Sequence, residues 1–231
     1  MEQDEKLHYI RPIAYIESDF KDKFGIPRQS GIVNDLVSKI VFEREYRDTN
    51  ALRGLEGFSH IWLIWLFSEN SFHECFPTVR PPRFGGDERI GIFATRSPFR
   101  PNSLGLSCVE IDHIELHTAN GPVIFVKGAD LMNGTPIFDI KPYIAFTDSK
   151  PNAVCSFAKF EWERSIDVLF PDDLLNKIKE EKRKALIEVL AQDPRPAYKK
   201  DSEQIYHIRF SDYDVGFVVE NRVLKVVDVR G

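Results

Sequence analysis

The 231-residue sequence has no apolar run near the length of a membrane span; its best stretch, Ile61 to Phe67, is far too short. The opening residues, MEQDEKLHYI, lack the apolar core of a secretory signal. Cysteine is scarce. Cys75, Cys108 and Cys155 are odd in number and widely spaced, which argues against a disulfide framework and for a reducing compartment, so a cytoplasmic setting is expected. No C-x-x-C spacing occurs. The i,i+4 histidine pair, His113 and His117, falls in a segment that reads as a strand, where that spacing loses its helical meaning, and no metal site is expected. No G-x-S-x-G elbow is present, which leaves a serine-hydrolase nucleophile without support. No strand leads through G-x-G-x-x-G into a helix, so the usual nucleotide-binding βαβ unit is missing. Internal repeats and low-complexity tracts are absent too. Net charge is −5, which argues against a broad nucleic-acid coat but leaves room for a local basic patch.

What the chain does contain is concentrated between Arg80 and Leu106, RPPRFGGDERIGIFATRSPFRPNSLGL. Arg80, Arg83, Arg89, Arg96 and Arg100 stand among Pro81, Pro82, Pro98 and Pro101, with Gly85, Gly86, Gly91 and Gly105 interleaved. Prolines restrict the backbone and glycines admit close approach, so the arginines can meet anionic groups with little side-chain searching. The same segment holds an apolar strand core, Ile90 to Ala94, ending at Thr95-Arg96-Ser97.

Strand patterns dominate the first two-thirds: His8 to Ile16, Phe58 to Phe67, Leu104 to Leu116, Val123 to Gly128 and the short Pro136 to Tyr143. Gly31 to Val41 fits a strand or a helix. The continuous run with Trp62 and Trp65 reads as a strand buried on both faces. Ala51 to Gly57 reads as a helical turn with glycine stops. Many strands with Gly/Pro/Asn turns predict a barrel or strongly curved sheet over residues 1–150. Composition shifts at Asp148 to Asn152. Beyond it, residues 151–231 read as a small α+β unit, with a helix over Pro171 to Leu190 and strands at Ile205 to Phe210 and Val215 to Val229, the latter turning near Asn221. The fold class is mainly β, a barrel with a small α+β C-terminal domain.

Few side chains declare chemistry by themselves. Cys108, between apolar neighbours, reads as a core filler, and Ser97 before proline as a turn former. His60 opens the tryptophan run and fits a structural hydrogen bond as well as a ligand role. Trp62 and Trp65 read as core. Asp130, in GADLMNGTP, fits either acceptance of hydrogen bonds from a ribose or an amine, or capping of the following turn. Asp139 and Lys141 read as a local ion pair.

Taken together, GIPRQSG (Gly25 to Gly31), LEGFSHIW (Leu55 to Trp62), RPPRFGG (Arg80 to Gly86), GIFATRSPFRPNSLGLS (Gly91 to Ser107), DLMNGTPIFDIKPY (Asp130 to Tyr143) and QDPRPAY (Gln192 to Tyr198) resemble the TrmO family, also called YaeB-like or TsaA-like. The resemblance runs over nearly the whole chain. It implies a TsaA-like β-barrel methyltransferase that uses S-adenosyl-L-methionine and works as a homodimer, with the cofactor near the subunit interface. The implied reaction is N6-methylation of threonylcarbamoyladenosine beside the anticodon of a threonine tRNA. By motif, the implied cofactor contacts are Pro27, Arg28, Gln29, Ser68, Glu69, Arg96, Leu106, Gly128, Ala129 and Asp130. Ser68-Glu69 stands where relatives often have His-Gln, and Asn133 where they commonly have aspartate.

Methyl transfer from a sulfonium needs in-line positioning more than covalent catalysis. The N6 nitrogen, conjugated with a carbonyl, is a poor nucleophile until its proton leaves, which calls for a base. Asp193 and Tyr198 of the C-terminal motif are the candidates for positioning the modified base, and Arg195 for binding a phosphate or the threonyl carboxylate. The arginine segment is the candidate holder of the anticodon loop. The alternatives are a non-enzymatic S-adenosylmethionine or nucleotide sensor, and a methyltransferase acting on another RNA or a small molecule.

Overall fold

The structure is a computed structural model that describes residues 8–69, 76–80, 89–156, 165–195 and 204–231. In chain order its strands begin with β1 (Ala14–Glu17), β2 (Val37–Phe42), β3 (His60–Leu66), β4 (Thr78–Val79) and β5 (Ile90–Gly91). Next come β6 (Leu104–Thr118), β7 (Gly121–Lys127) and β8 (Pro136–Pro142), followed by the short helix α1 (Ala145–Asp148). The C-terminal part holds β9 (Asp167–Leu169), α2 (Asp172–Leu175), α3 (Glu180–Ala191), β10 (Tyr206–Phe210), β11 (Tyr213–Glu220) and β12 (Val223–Arg230). Six strands close a barrel in the order β1-β2-β7-β6-β3-β8, and β10-β11-β12-β9 form a separate sheet. The barrel pairings are antiparallel. The expected mainly β architecture with a barrel is present.

Alternation builds the barrel. Ile61, Leu63 and Trp65 of β3 point into the core with Ala14, Ile16, Ile40, Val109, Ile124 and Val126. The intervening His60, Trp62, Ile64 and Leu66 are only half-buried. This corrects the expectation of a strand buried on both faces: a closed antiparallel barrel has one inside, so a continuous apolar run presents alternate residues to it. Trp62 is instead partly covered by the ring of Tyr143, and its indole N–H donates to Asp148 Oδ2 at 3.0 Å.

Other boundaries shift for local reasons. Strand pairing begins at Ala14, just past Pro12, which has no N–H to donate. Gly31 to Val41 resolves as a loop into β2. Only Ile90–Gly91 of the expected Ile90 to Ala94 strand pairs, and Ile92–Ala94 is a 3₁₀ turn. Two 3₁₀ turns, Thr49–Leu52 and Leu55–Gly57, stand where one helical turn was read. The predicted helix over Pro171 to Leu190 is broken into α2 and α3. Lys179 adopts extended backbone (ψ 137°), its N–H donates to the Tyr213 hydroxyl, and Ile178 between the two helices is buried in the core.

The C-terminal sheet packs on α3 through Leu186, Val189, Leu190, Ile208, Phe217 and Leu224. That core also contains Phe20, Val33 and Leu36, from the loop joining β1 to β2. Phe20 forms a bridge with Phe210, their rings edge to face at 5.8 Å. The loop between the first two barrel strands is thus part of the second core. Lys182 reinforces the junction with an ion pair to Asp19 at 2.6 Å.

Candidate functional site

A cavity of about 510 Å³ lies where the β1–β2 loop meets the adjoining ends of β3 and β6, the Thr95 to Arg100 segment and the chain after β7. Eight of the residues expected at a cofactor site line it: Pro27, Arg28, Gln29, Ser68, Glu69, Arg96, Leu106 and Asp130. They come from distant parts of the sequence and meet only in the folded chain.

The β1–β2 loop is held from behind. Gly25 (φ 89°) and Gly31 (φ 75°) take left-handed backbone on either side of Pro27-Arg28-Gln29. The Gly31 N–H donates to the Gly128 carbonyl at 2.9 Å, and the Gly128 N–H donates to Leu36 O at 3.0 Å. A Cβ on Gly128 would lie 3.1 Å from the Gly31 backbone. Gly128 and the buried Ala129 are therefore the seat of the loop and do not line the cavity. At the front, Arg96 donates to Gln29 Oε1, and Lys23 Nζ donates to Glu69 O at 2.5 Å.

The floor of the site is a chain of hydrogen bonds. Trp65 Nε1 donates to Ser107 Oγ at 3.0 Å, and the Ser107 hydroxyl donates to Asp130 Oδ1 at 2.6 Å. Strand register sets this up: Trp65 lies opposite Gly105, and a Cβ there would stand 2.2 Å from the indole. Ser107 is almost wholly buried, at 2% exposure. Burial pushes the Asp130 carboxyl pKa up from its ordinary value, outweighing the Ser107 hydrogen bond, backbone N–H groups of Asp130 and Ser30, and the Arg96 charge, which all act to lower it. Asp130 faces the cavity, so the ligand-acceptor reading is the one its placement favours.

Arg100 also lines the cavity while donating to the carbonyl of Thr95. Other sequence candidates fall elsewhere. Arg89 donates to the hydroxyl and carbonyl of Thr78 and braces its own segment. Arg83 with its flanking prolines and glycines lies outside the described residues, as does Tyr198. Asp193, with φ of 49°, grips Arg195 in a two-pronged pair at 2.8 and 2.9 Å, and neither lines the cavity. Asn133 Oδ1 accepts the Ser18 N–H at 3.1 Å, a turn contact that an amide oxygen makes as well as a carboxylate. His60 bonds Ser59 at 2.9 Å beside the Tyr143 ring, away from the cavity lining, which fits the structural reading. Among the described residues no cluster of His, Cys, Asp or Glu could hold a metal ion, and no helix is long and apolar enough to cross a membrane.

Sequence reasoning passed over Ser107; Trp65 is in the core as read, and it lines the cavity as well. A signal existed. Gly105 and Ser107 alternate on one face of a strand, and a glycine plus a polar residue on an inward face mark a packed ring and a demand for hydrogen bonding.

Known proteins bear on this arrangement. Residues 15–149 match the family model of the tRNA-methyltransferase O N-terminal domain, and residues 163–231 match that of the TrmO C-terminal domain. A tRNA (adenine(37)-N6)-methyltransferase of Escherichia coli (strain K12) is 39% identical over 222 residues, covering 93% of this chain and 94% of that protein. One of Eikenella corrodens with the same name is 42% identical over 164 residues, covering 71% of this chain and 92% of that protein. The crystal structure of TrmO from Pseudomonas aeruginosa superposes with a TM-score of 0.79 at 30% identity, covering 97% of this chain and all (100%) of that one.

Proposed function

Since this chain belongs to the TrmO family of tRNA methyltransferases, we propose that it transfers a methyl group from S-adenosyl-L-methionine to N6 of adenosine 37 in tRNA. The observation that carries the reading is the convergence of four separated segments on one cavity, with a partly buried carboxylate in its wall.

The residues present fit the cofactor. The cavity volume falls within the roughly 300–1,000 Å³ usual for small-molecule sites. Trp65, Phe67, Leu104 and Leu106 supply apolar wall for a purine ring. Asp130 supplies an acceptor for hydroxyl or ammonium donors, and Gln29 an amide fixed by Arg96. When bound, the cofactor contributes a methyl group activated by the positive sulfur. The protein's own part is positional: the β1–β2 loop and the Thr95 to Arg100 segment frame the opening, and the Trp65–Ser107–Asp130 chain fixes the floor.

The finer reading rests on the family resemblance. The substrate adenosine carries the threonylcarbamoyl group, in a threonine tRNA, and the protein works as a cytoplasmic homodimer of two-part chains divided near residue 150. On this reading Asp193, Arg195 and Tyr198 serve at the cavity of a partner copy. There Arg195 would meet an anion, oriented by its pair with Asp193.

The test is transfer of labelled methyl from S-adenosylmethionine to bulk tRNA from cells with and without the threonylcarbamoyl modification, followed by nucleoside mass analysis. Labelling confined to the modified tRNA is the expected result. Equal labelling of both keeps the methyltransferase and discards the modified substrate. Cofactor binding with no transfer to either would replace the enzyme reading with that of a sensor.

A further inference from the structure

We propose that Ser107 is a positioning residue of the cofactor site, holding the Asp130 carboxylate in the orientation and charge state that binds the ligand. The inference rests on the reading of the cavity as the S-adenosylmethionine site. Its basis is geometric. A serine hydroxyl has one hydrogen to give, and Ser107 gives it to Asp130 Oδ1 at 2.6 Å. A free hydroxyl rotates, but this one is pinned because it accepts the Trp65 N–H at 3.0 Å. The indole cannot swing away, since Trp65 is 7% exposed and seated over Gly105. Three residues on two paired strands thus deliver one directed hydrogen to one carboxylate. The hydrogen bond from Ser107 opposes the effect of burial, which drives that carboxyl toward its neutral form.

A merely structural Ser107 would affect stability alone. A positioning Ser107 sets the pH at which cofactor binding fails. As pH falls, Asp130 takes up a proton and loses its power to accept from a ligand. Without the Ser107 bond that happens at a higher pH. The other charged groups lining the cavity are Lys23 and Arg28 of the β1–β2 loop, Glu69 after β3, and Arg96 and Arg100; of these Arg96 acts on Asp130 and remains in every variant used.

The experiment is calorimetric titration of the full chain with S-adenosylmethionine between pH 5 and 8, for wild type, Ser107→Ala, Ser107→Thr, Trp65→Phe and Asp130→Asn. Ser107→Ala should weaken binding on the order of tenfold, as for one lost hydrogen bond to a charged group, and move the acid limb to higher pH. Ser107→Thr should recover both. Trp65→Phe keeps a ring over Gly105 and frees the hydroxyl to rotate, and should move the limb in the same direction by less. Wild-type affinity and an unmoved limb in Ser107→Ala would overturn the inference, as would a loss that Ser107→Thr leaves unrepaired. Should Ser107→Ala not fold, an unmoved limb in Trp65→Phe overturns it equally. Asp130→Asn separates the two layers. Wild-type binding by Asp130→Asn would remove the carboxylate from the cofactor reading itself, whereas weak Asp130→Asn beside intact Ser107→Ala would sink the Ser107 inference alone.

Discussion

Replacing Gly105 by alanine adds one methyl group and should unsettle the site more than its size implies. The added Cβ would lie 2.2, 2.4 and 2.6 Å from Cε2, Cζ2 and Cδ2 of Trp65, distances that atoms in contact do not tolerate. The indole has nowhere to retreat, being 7% exposed with the Phe67 ring centroid 4.2 Å from its own. Overpacking of this kind costs about 1–3 kcal/mol. A displaced indole also forfeits its bond to Ser107, about 1 kcal/mol. Against this stands about 0.4–1 kcal/mol gained from stiffening the unfolded chain. The net expectation is a loss of about 1–3.5 kcal/mol, at roughly 2–4 °C in melting temperature per kcal/mol for a chain of this size. Gly57 supplies the control: a Cβ there meets nothing within 4 Å and its φ is not positive, so Gly57→Ala should be neutral or slightly stabilising. Urea midpoints of the two variants, read by tryptophan fluorescence, decide the matter. Equal midpoints for Gly105→Ala and Gly57→Ala would refute the steric argument.

Three further outcomes follow from the same geometry. Because the Asp130 pKa is raised in the folded state, its contribution to stability is complete below the ordinary carboxylate pKa and lost as pH rises through the folded value. Asp130→Asn should therefore melt higher than wild type at pH 7, with the gap closing toward pH 3, while methyl transfer falls; a lower melting point at pH 7 would contradict this. Gly25→Ala combines a left-handed φ of 89° with a Cβ 2.1 Å from the Ile208 side chain, itself fully buried, and should cost about 2–4 kcal/mol in denaturant unfolding. Transfer RNA affinity should fall steeply between 50 and 200 mM salt despite the net charge of −5, and Arg80→Ala, in the segment read as the holder of the anticodon loop, should flatten that slope by about one unit, both readable by filter binding.

The barrel strands were legible because alternation and turn residues survive in the sequence, though the two read as starting at His8 and Val123 begin at Ala14 and Gly121. The loop motif Pro27-Arg28-Gln29 and the motif around Asp130 were legible through family resemblance and converge as expected on one cavity. What escaped was whatever depends on register. Nothing local says that Trp65 faces Gly105 or that Ser107 lies within reach of Asp130, because those contacts exist only once β3 and β6 pair. The break between α2 and α3 escaped for a related reason: the apolar stripe is continuous, and the interruption comes from Ile178 turning into the core while Tyr213 takes the Lys179 N–H. Arg89 looked like a ligand contact because composition does not reveal that its guanidinium is already spent on Thr78.

Phe20, Val33 and Leu36 belong to the core of the C-terminal sheet although they lie in the loop that carries Pro27, Arg28 and Gln29. A gene cut after residue 150 would therefore not release a smaller working barrel. It would strip the cover from these three side chains and leave the loop held only by its bonds to the barrel, such as Gly31 to Gly128 and Lys23 to Glu69, so that the full set of lining residues would stand on a loop with its apolar anchor exposed. A nonsense mutation that removes the C-terminal sheet should therefore read as loss of the whole.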